Sequence, residues 1–389
     1  MPSASLRLAV VGAGAAGLVA ARELRREGHA PVVFERAAAV GGTWLYTPPA
    51  TSSDPLGAAA THSSLYASLR TNLPRETMGF LDFPFAAGAA GSRDPRRFPG
   101  HEEFYDAVVV CNGHYTEPRL AVIPGVDAWP GKQMHSHNYR VPEPFLDQVV
   151  IIIGASASAV DISRDIASMA EEVHIADRSA PASTCNKQPG YDNLWLHSMI
   201  DHAQEDGTVV FQDGSSIKAD VIMHCTGYLY DFPFLGDDST ITVDDNRVDP
   251  LYKHIFPPEV APHLSFIGLP WKVIPFPLFE LQSKWVARVL SGRINLPSED
   301  RMMEDVKAFY LKLEAHGWPK RYTHNFANYQ FEYDDWLAEQ CGHPPVEEWR
   351  KQMYAVTSMN KAARPESYRD EWDDEHLVAE ANEYFKKFL

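Results

Sequence analysis

Three glycines near the start of the chain have the spacing of a phosphate-binding turn. Gly12, Gly14 and Gly17 form a GxGxxG pattern directly after an apolar stretch. In such a turn the first glycine permits the tight bend, the second lets the backbone approach a pyrophosphate, and the third lets helix and strand pack closely. The free N–H groups at the start of the following helix then face the phosphates. The chemistry that this pattern predicts is the binding of a dinucleotide.

The elements that must position this turn are also visible in the sequence. Branched apolar residues at 6–11 indicate a buried parallel strand, and residues 31–34 indicate a second one. Between them, the spacing of Leu18 and Leu24 predicts the buried face of a helix. Glu35 closes the second strand, about 20 residues past the glycines, where a carboxylate binds ribose hydroxyls. A carboxylate there would repel a 2′-phosphate, so the ligand is predicted to be NAD-like or FAD-like.

A second glycine-rich segment follows the acidic residue and favours FAD. Gly41-Gly42-Thr43-Trp44 resembles the GGTW or GGLW segment of FAD-dependent monooxygenases. The alternative is a simple loop with a buried tryptophan. The residues predicted from this region to bind FAD are Gly12, Ala13, Gly14, Ala15, Ala16, Gly17, Glu35, Arg36, Gly42, Thr43 and Trp44.

The same kind of unit occurs again in the middle of the chain. Residues 148–153 form another buried-strand pattern, and a helix at 160–170 and a strand at 173–176 are predicted to follow. Arg178 comes just after, where an arginine can hold a 2′-phosphate in a bidentate contact, so this unit is predicted to bind NADP. The alternative for Arg178 is a solvated surface charge. The predicted NADP-binding residues are Gly154, Ala155, Ser156, Ala157, Ser158, Ala159 and Arg178.

Composition excludes several other classes of function. The formal net charge is −17 and no dense basic block occurs, which argues against a nucleic-acid partner or an electrostatic membrane anchor. No apolar run reaches the roughly 20 residues that span a bilayer, and no signal-peptide pattern is seen, so a cytoplasmic protein is predicted. The four cysteines contain no CxxC pair, which disfavours a dithiol enzyme. We predict no bound metal, since His135 and His137 also lack an evident third ligand.

Three longer segments resemble one family. Residues 129–139 resemble the FxGxxxHxxxY signature of the class B flavin-containing monooxygenases, with Trp129 in place of the phenylalanine. Residues 225–228 resemble the family's ATGY-type motif, and residues 69–74 its TN-x-P segment. Details at 111–118, 134–139 and 275–282 are similar to plant S-oxygenating members, the glucosinolate S-oxygenase-like proteins.

This resemblance implies an α/β fold of two doubly wound, Rossmann-like dinucleotide-binding domains. The NADP domain, at 141–228, would be inserted between two parts of the FAD domain, at 1–140 and 229–389, and the chain would end in a helical region. The implied cofactors are FAD and NADPH. NADPH would reduce FAD, O₂ would add as a C4a-hydroperoxyflavin, and one oxygen would pass to a small-molecule thioether. N-oxygenation of soft nucleophilic amines stays an alternative, and a homodimer stays open.

The resemblance also implies roles for single residues. Asn72 is the predicted catalytic residue, because an uncharged amide can hold a reacting oxygen or the nicotinamide ribose without protonating it early. Thr71, Asn72 and Gln282, the last at the start of a predicted helix, are expected to contact FAD. His135 and Tyr139 are spaced to share one helix face, and their role is expected to be structural.

One stretch departs from the family pattern. Residues 98–103 resemble the start of a helix that in relatives leads, over several dozen residues, to the strand seen here at 107–113. Here the chain enters that strand almost at once. A segment of the FAD domain is therefore missing, which would expose apolar surface and loosen the adenine side of FAD. Two interpretations stay open, a compact enzyme and a shortened form with impaired or no turnover.

Overall fold

The computed structural model describes residues 5–44, 69, 73–78, 80–81, 107–235, 240–365 and 367–388 of the 389-residue chain. The strands are β1 (Arg7–Val11), β2 (Ala30–Phe34), β3 (Ala107–Val110), β4 (Glu117–Pro118), β5 (Lys132–His135), β6 (Val149–Ile153), β7 (Glu172–Ala176), β8 (Cys185–Lys187), β9 (Leu194–His197), β10 (Ile200–Ala203), β11 (Thr208–Phe211), β12 (Ser216–Lys218), β13 (Val221–His224), β14 (Tyr228–Leu229), β15 (Thr242–Asp244), β16 (Arg247–Asp249) and β17 (Leu264–Phe266). The helices are α1 (Ala15–Arg26), α2 (Arg75–Met78), α3 (Ala157–Ala167), α4 (Pro275–Leu290), α5 (Glu299–Ala315), α6 (Gln330–Gln340), α7 (Glu348–Ala363) and α8 (Glu375–Phe385).

The chain divides into two compact units, and the second is inserted in the first. The first unit comprises the described residues of Met1–Gly42, Thr71–Gly113 and Phe232–Leu389. The second comprises those of Thr43–Arg70 and His114–Asp231. The predicted α/β class with parallel sheets and C-terminal helices is confirmed. The finer assignment of 1–140, 141–228 and 229–389 to FAD and NADP domains stays a prediction.

The first unit is built on a parallel sheet in the order β17-β3-β1-β2. Helix α1 packs on α4, and both contribute to one apolar core with the sheet. That core includes Leu8, Val10, Leu24, Leu281 and Trp285. Within the described residues β2 pairs with β1 alone, so it forms an edge of the sheet.

The face that α1 buries differs in part from the prediction. Leu24 is buried as expected, but Leu18 is 44% exposed, and the helix buries Val19 and Ala20 instead. The cause lies in the glycine turn, because Gly17 must lie against the backbone of Gly12 and this fixes the rotation of the helix about its axis. Leu18 then points away from the sheet and lines a surface groove with Arg22 and the next turn of the helix.

The second unit has a larger sheet that is covered on both faces. Its six strands lie in the order β5-β13-β6-β7-β9-β8, all parallel except β8. Alternate residues of β6 enter two different cores, Ile152 packing with α3 and Ile151 with the antiparallel β10-β11-β12 sheet. This explains why residues 149–153 form an unbroken apolar run, since a strand covered on both faces has no solvent side.

Helices dominate the end of the chain. Helix α4 begins at Pro275 and not near Gln282 as predicted, because a proline is tolerated in the first turn of a helix, where its missing N–H has no partner to lose. Helices α7 and α8 bury an apolar cluster that includes Trp349, Met353 and Phe385. None of the helices within the described ranges combines the length and apolarity that a bilayer crossing requires.

Two candidate dinucleotide sites

The first glycine turn joins β1 to α1, and two of its glycines are required by the packing of the chain. Gly12 has a φ of +103°, and a Cβ there would lie 2.6 Å from the carbonyl oxygen of Cys111 at the end of β3. A Cβ on Gly17 would lie 1.8 Å from the carbonyl oxygen of Gly12. Both clashes are with backbone atoms, which cannot rotate away. These positions therefore accept only glycine in this fold, as the pattern predicted.

Gly14 differs from the other two glycines. It lies directly before α1, and among the described residues a Cβ there would meet only the Cα of Gly42, at an ordinary 3.7 Å. Packing against these residues thus gives no reason for a glycine at this position. The first turn of α1 has no acidic residue, and no described side chain caps the helix start. An uncapped helix N-terminus of this kind fits a pyrophosphate, whose charge the helix dipole and free amides stabilise.

Glu35 lies at the carboxyl end of β2 and ties the loops around the glycine turn together. Its carboxylate accepts hydrogen bonds from the backbone N–H of Ala13 at 2.7 Å and of Ala37 at 2.8 Å. The backbone N–H of Gly41 also donates to the carbonyl oxygen of Ala13, at 2.9 Å. A carboxylate offers about four lone-pair sites, so Glu35 retains capacity for ribose hydroxyls.

The remaining predicted residues of this region differ in their burial. Ala13 and Ala16 are buried, Ala15 is half-buried and Arg36 is exposed. Gly42 and Thr43 belong to a short 3₁₀ segment, Gly42–Trp44. Trp44 is 45% exposed, so the alternative interpretation of this segment as a loop with a buried tryptophan is wrong. These observations do not test contact with FAD, which stays a prediction for each of these residues.

The second glycine turn, between β6 and α3, repeats the geometry of the first. Gly154 has a φ of +112°, and a Cβ there would lie 2.7 Å from the carbonyl oxygen of Cys225. Ser156 is the residue before α3, and its side chain makes no capping hydrogen bond. Ala155, Ser156 and Ser158 are exposed, Ala157 is half-buried and Ala159 is buried. The start of α3 therefore also offers uncapped amides to an anion.

Arg178 lies on the same edge of the sheet as this turn. Ile153 and Ala176 are register partners, so the ends of β6 and β7 lie side by side. The carboxylate of Asp177 accepts a hydrogen bond from the N–H of Ser179 at 2.8 Å, which keeps Asp177 folded into its own turn. Arg178 is exposed beyond that turn. Ligands of doubly wound sheets bind outside the carboxyl ends of the strands, so Arg178 lies where a 2′-phosphate is expected.

The signature segment at 129–139 is a structural connector within the second unit. His135 ends β5, and Tyr139 follows a short 3₁₀ segment, so the prediction that they share a helix face is wrong. β5 pairs with β13 as far as His135. The backbone is therefore extended through this residue, and the strand ends there. The Nε2–H of His135 donates to the carbonyl oxygen of Gly227 at 3.0 Å, and its Nδ1 accepts from the N–H of His137 at 3.0 Å. Tyr139 donates to Asp165 of α3 at 2.6 Å.

Comparison with known proteins decides which family combines these two sites. The model of the family described as "Flavin-binding monooxygenase-like" matches residues 100–191 and 191–346, and that of an "NAD(P)-binding Rossmann-like domain" matches residues 10–66. The chain is 56% identical to the flavin-containing monooxygenase FMO GS-OX-like 2 of Arabidopsis thaliana, over 100% of this chain and 96% of that protein. The chain belongs to the flavin-binding monooxygenase-like family. As a flavin-containing monooxygenase, it uses FAD and NADPH and acts on a small molecule with O₂.

Solved structures agree with this assignment. A structure described as S-allyl-L-cysteine S-oxygenase from Allium sativum is 58% identical, with a TM-score of 0.93 and 100% coverage of both chains. A structure described as Tmm from Pelagibacter sp. strain HTCC7211 shares the fold at 24% identity, with a TM-score of 0.76 over 94% of this chain and 93% of that one.

The alignment with the Arabidopsis monooxygenase also bears on the missing segment. It extends over 447 positions, whereas this chain has 389 residues, so at least 58 positions have no residue here. The junction predicted after His101 lies outside the described residues. On the described side, Phe34 at the end of β2 is 44% exposed and Val40 is 60% exposed. Phe34 belongs to β2 and Val40 to the loop that follows it. Exposed apolar surface of this kind was expected from the loss of a segment, but its cause stays a prediction.

Three other predicted flavin contacts, those of Thr71, Asn72 and Gln282, stay predictions in this monooxygenase. Thr71 and Asn72 lie outside the described residues. Gln282 is fully buried in α4, and its amide already accepts from the N–H of Gly268 at 3.0 Å and donates to the hydroxyl of Tyr333 at 3.2 Å. Through these contacts Gln282 links α4 to α6 and to the loop after β17. Its contact with FAD stays a prediction.

Buried histidines give this monooxygenase an expected sensitivity to acid. Burial lowers the pKa of His135 and of His224 to about 4, so both are neutral at pH 7. The unfolded chain, with a histidine pKa of about 6.5, binds more protons, so stability is retained above pH 6.5 and falls as the pH drops toward 4. At pH 5 each group is expected to destabilise the fold by about 2 kcal/mol.

This is tested by urea unfolding at pH 7 and pH 5. His135→Gln loses hydrogen bonds and should be less stable at pH 7, but its further loss at pH 5 should be about 2 kcal/mol smaller than in the unchanged protein. His202→Gln, which replaces an exposed histidine beside Asp201, serves as the control. An equal loss in His135→Gln and the unchanged protein would show that His135 is not a source of the acid sensitivity.

Proposed function

We propose that this protein is an S-oxygenase, which transfers one oxygen atom of O₂ to the sulfur of small thioethers with NADPH as reductant. The observation that carries the proposal is the match to the Allium sativum structure. That protein is described as an S-allyl-L-cysteine S-oxygenase, and the match, at 58% identity and a TM-score of 0.93, extends from end to end of both chains. S-allyl-L-cysteine is itself a small thioether with an amino-acid headgroup, which makes it the first substrate to test.

The two glycine turns support the proposal through the cofactors that they would hold. Bound FAD would take reducing equivalents from NADPH and supply the oxygen-transfer chemistry. In the first unit the uncapped start of α1, above Gly14, would bind the pyrophosphate, and Glu35 would accept from ribose hydroxyls. In the second unit the start of α3 and Arg178 would hold the phosphates of NADPH. The chain's own task is then to bind, to orient and to exclude water.

The proposal is tested on the purified full chain. An S-oxygenase should purify yellow, oxidise NADPH in air faster when S-allyl-L-cysteine is added, and form sulfoxide in proportion to the NADPH consumed. Hydrogen peroxide as the sole product, whatever thioether is offered, would refute S-oxygenation but leave the flavin sites intact. Faster turnover with a tertiary amine would favour the N-oxygenase alternative. A colourless protein that FAD cannot reconstitute would support the shortened, impaired form.

Asn72 is the proposed catalytic residue, and its substitution sharpens the same assay. We expect Asn72→Ser to lose sulfoxide formation, because the shorter serine side chain cannot hold the reacting oxygen. FAD should stay bound, because Asn72 is not part of the phosphate-binding turn. Asn360→Ser is the matched control, since it makes the same change in helix α7, outside the predicted cofactor sites. Sulfoxide formation by Asn72→Ser at the unchanged rate would remove Asn72 from the reaction.

The proposal also includes the location and the assembly of the protein. We propose a cytoplasmic location and leave a homodimer as the assembly to test. Cell fractionation with an antibody to the chain tests the location. Sedimentation of the FAD-loaded protein tests the homodimer.

A further inference from the structure

A cysteine, a histidine and an aspartate from three separate segments meet in the second unit. Antiparallel pairing of β8 with β9 places Cys185 opposite His197, and Asp213 lies in the turn after β11. The Cys185 Sγ, a ring nitrogen of His197 and a carboxylate oxygen of Asp213 all lie within 4.8 Å of one another. Thiolate, imidazole and carboxylate are the ligand types of zinc, and no sequence spacing predicted this group because its members come from three separate segments.

The neighbours of His197 fix its orientation. Its ring stacks on that of Phe211, with centroids 4.1 Å apart. Its Nε2 lies 3.0 Å from the Nδ1 of His174, and the Nε2 of His174 lies 3.1 Å from the carboxylate of Glu172. Its Nδ1 faces the carboxylate of Asp213 at 3.4 Å, with the hydroxyl of Ser215 at 3.3 Å. Glu172, His174, His197 and Asp213 thus form a continuous chain of three contacts, which we call the histidine relay.

Metal binding through Nδ1 of His197 is compatible with every other contact of the histidine relay. With Nδ1 on a cation, the Nε2–H of His197 donates to the Nδ1 of His174. The Nε2–H of His174 then donates to the carboxylate of Glu172.

We propose that Cys185, His197 and Asp213 bind a divalent transition-metal ion of the zinc type. His197 would bind through Nδ1, Asp213 through its carboxylate and Cys185 through its sulfur, whose proton passes to solvent on binding. The fourth tetrahedral position is left to water or to a further ligand. Cys185 is exposed, whereas the side chains of His197 and Asp213 are 3% and 5% exposed, so the ion has a route of entry to a largely formed site.

The rest of the histidine relay has the arrangement that metal-binding histidines require. A ligating histidine usually donates its other N–H to a second group that orients the ring, and here His174 and Glu172 provide that support. The site also lies close to the proposed NADP site, since Ala176 and His197 are register partners and Arg178 follows two residues later. Zinc binding there can be tested without measuring turnover.

The experiment titrates the FAD-loaded protein with Zn²⁺ in competition with a chromogenic chelator, and then records the zinc X-ray absorption spectrum. We expect one tight site with a single sulfur neighbour at about 2.3 Å. Cys185→Ser should remove the sulfur neighbour and weaken binding by more than 100-fold. His174→Phe, which removes an orienting partner, should weaken binding by about 10- to 100-fold while the sulfur neighbour remains.

The control variant is His202→Gln, which removes a partly exposed histidine of β10 whose ring lies 2.8 Å from the carboxylate of Asp201 on the same strand. It should leave zinc affinity unchanged. The proposal is overturned if the unchanged protein shows no tight site, if its zinc has no sulfur neighbour, or if Cys185→Ser binds as tightly as the unchanged protein. Because Cys185 is exposed, its replacement by serine is expected to leave folding intact, which circular dichroism will verify.

Discussion

Gly17→Ala will yield a protein with weakened folding and no retained FAD, whereas Gly14→Ala will fold normally and bind FAD weakly. The difference follows from what each added Cβ meets. At Gly17 it lies 1.8 Å from the carbonyl oxygen of Gly12, so α1 must move away from β1. Overpacking of this kind costs about 1–3 kcal/mol of folding stability. The movement of α1 also separates the start of the helix from the glycine turn. Both of these would hold the pyrophosphate.

At Gly14 the Cα of Gly42, at 3.7 Å, is the one described atom that the added Cβ meets, so the free energy of unfolding without FAD should stay within about 0.5 kcal/mol of the original. The Cβ would instead occupy the space above the start of α1. We expect the Kd for FAD to rise at least about tenfold, which corresponds to about 1.4 kcal/mol.

Two measurements separate the glycine variants, urea unfolding of the FAD-free proteins and titration of each with FAD by flavin fluorescence. Ser156→Ala is the control, because Ser156 holds the equivalent position before α3 and makes no capping hydrogen bond there. It should leave the Kd for FAD unchanged. Unaltered FAD affinity in Gly14→Ala would show that the pyrophosphate does not lie over this helix start, and unaltered stability in Gly17→Ala would contradict the packing argument.

The success of the sequence analysis at these turns has a physical reason. At Gly12 and at Gly154 a Cβ would clash with a backbone carbonyl at the end of a neighbouring strand, that of Cys111 and that of Cys225. Glycine is the one residue type that satisfies such a constraint, so the constraint can be recognised from the sequence. The strands around each turn were predictable for a similar reason, because burial on both faces requires unbroken apolar runs.

Failures occurred where the packing of one element on another decides the outcome. The rotation of α1, and so the exposure of Leu18, depends on how closely Gly17 approaches Gly12. The extended conformation of His135 depends on β13, whose residues lie about ninety positions away in the chain. The periodicity of apolar residues, from which the face of α1 was predicted, contains no information on the rotation of the helix or on the pairing with β13. The group of Cys185, His197 and Asp213 was missed for the same reason, since its members meet only after β8 pairs with β9.

Arg178→Gln will abolish the preference of this monooxygenase for NADPH over NADH. A bidentate guanidinium–phosphate contact contributes about 1.5–3 kcal/mol, so the KM for NADPH should rise by about 10- to 100-fold. NADH has no 2′-phosphate, and its KM should change by less than about threefold. The change in preference, and not a general loss of activity, is therefore the signature of the proposed role.

Lys218→Gln is the matched control for this substitution. Lys218 belongs to the same unit and has the same charge, but it pairs with Asp206 on the surface at 3.8 Å. If long-range attraction alone drew NADPH to the unit, both variants would raise its KM by the same small factor, and that factor would shrink with added salt. A bidentate contact acts at short range, so only Arg178→Gln should discriminate between NADPH and NADH, and parallel behaviour of the two variants would assign the 2′-phosphate to another residue.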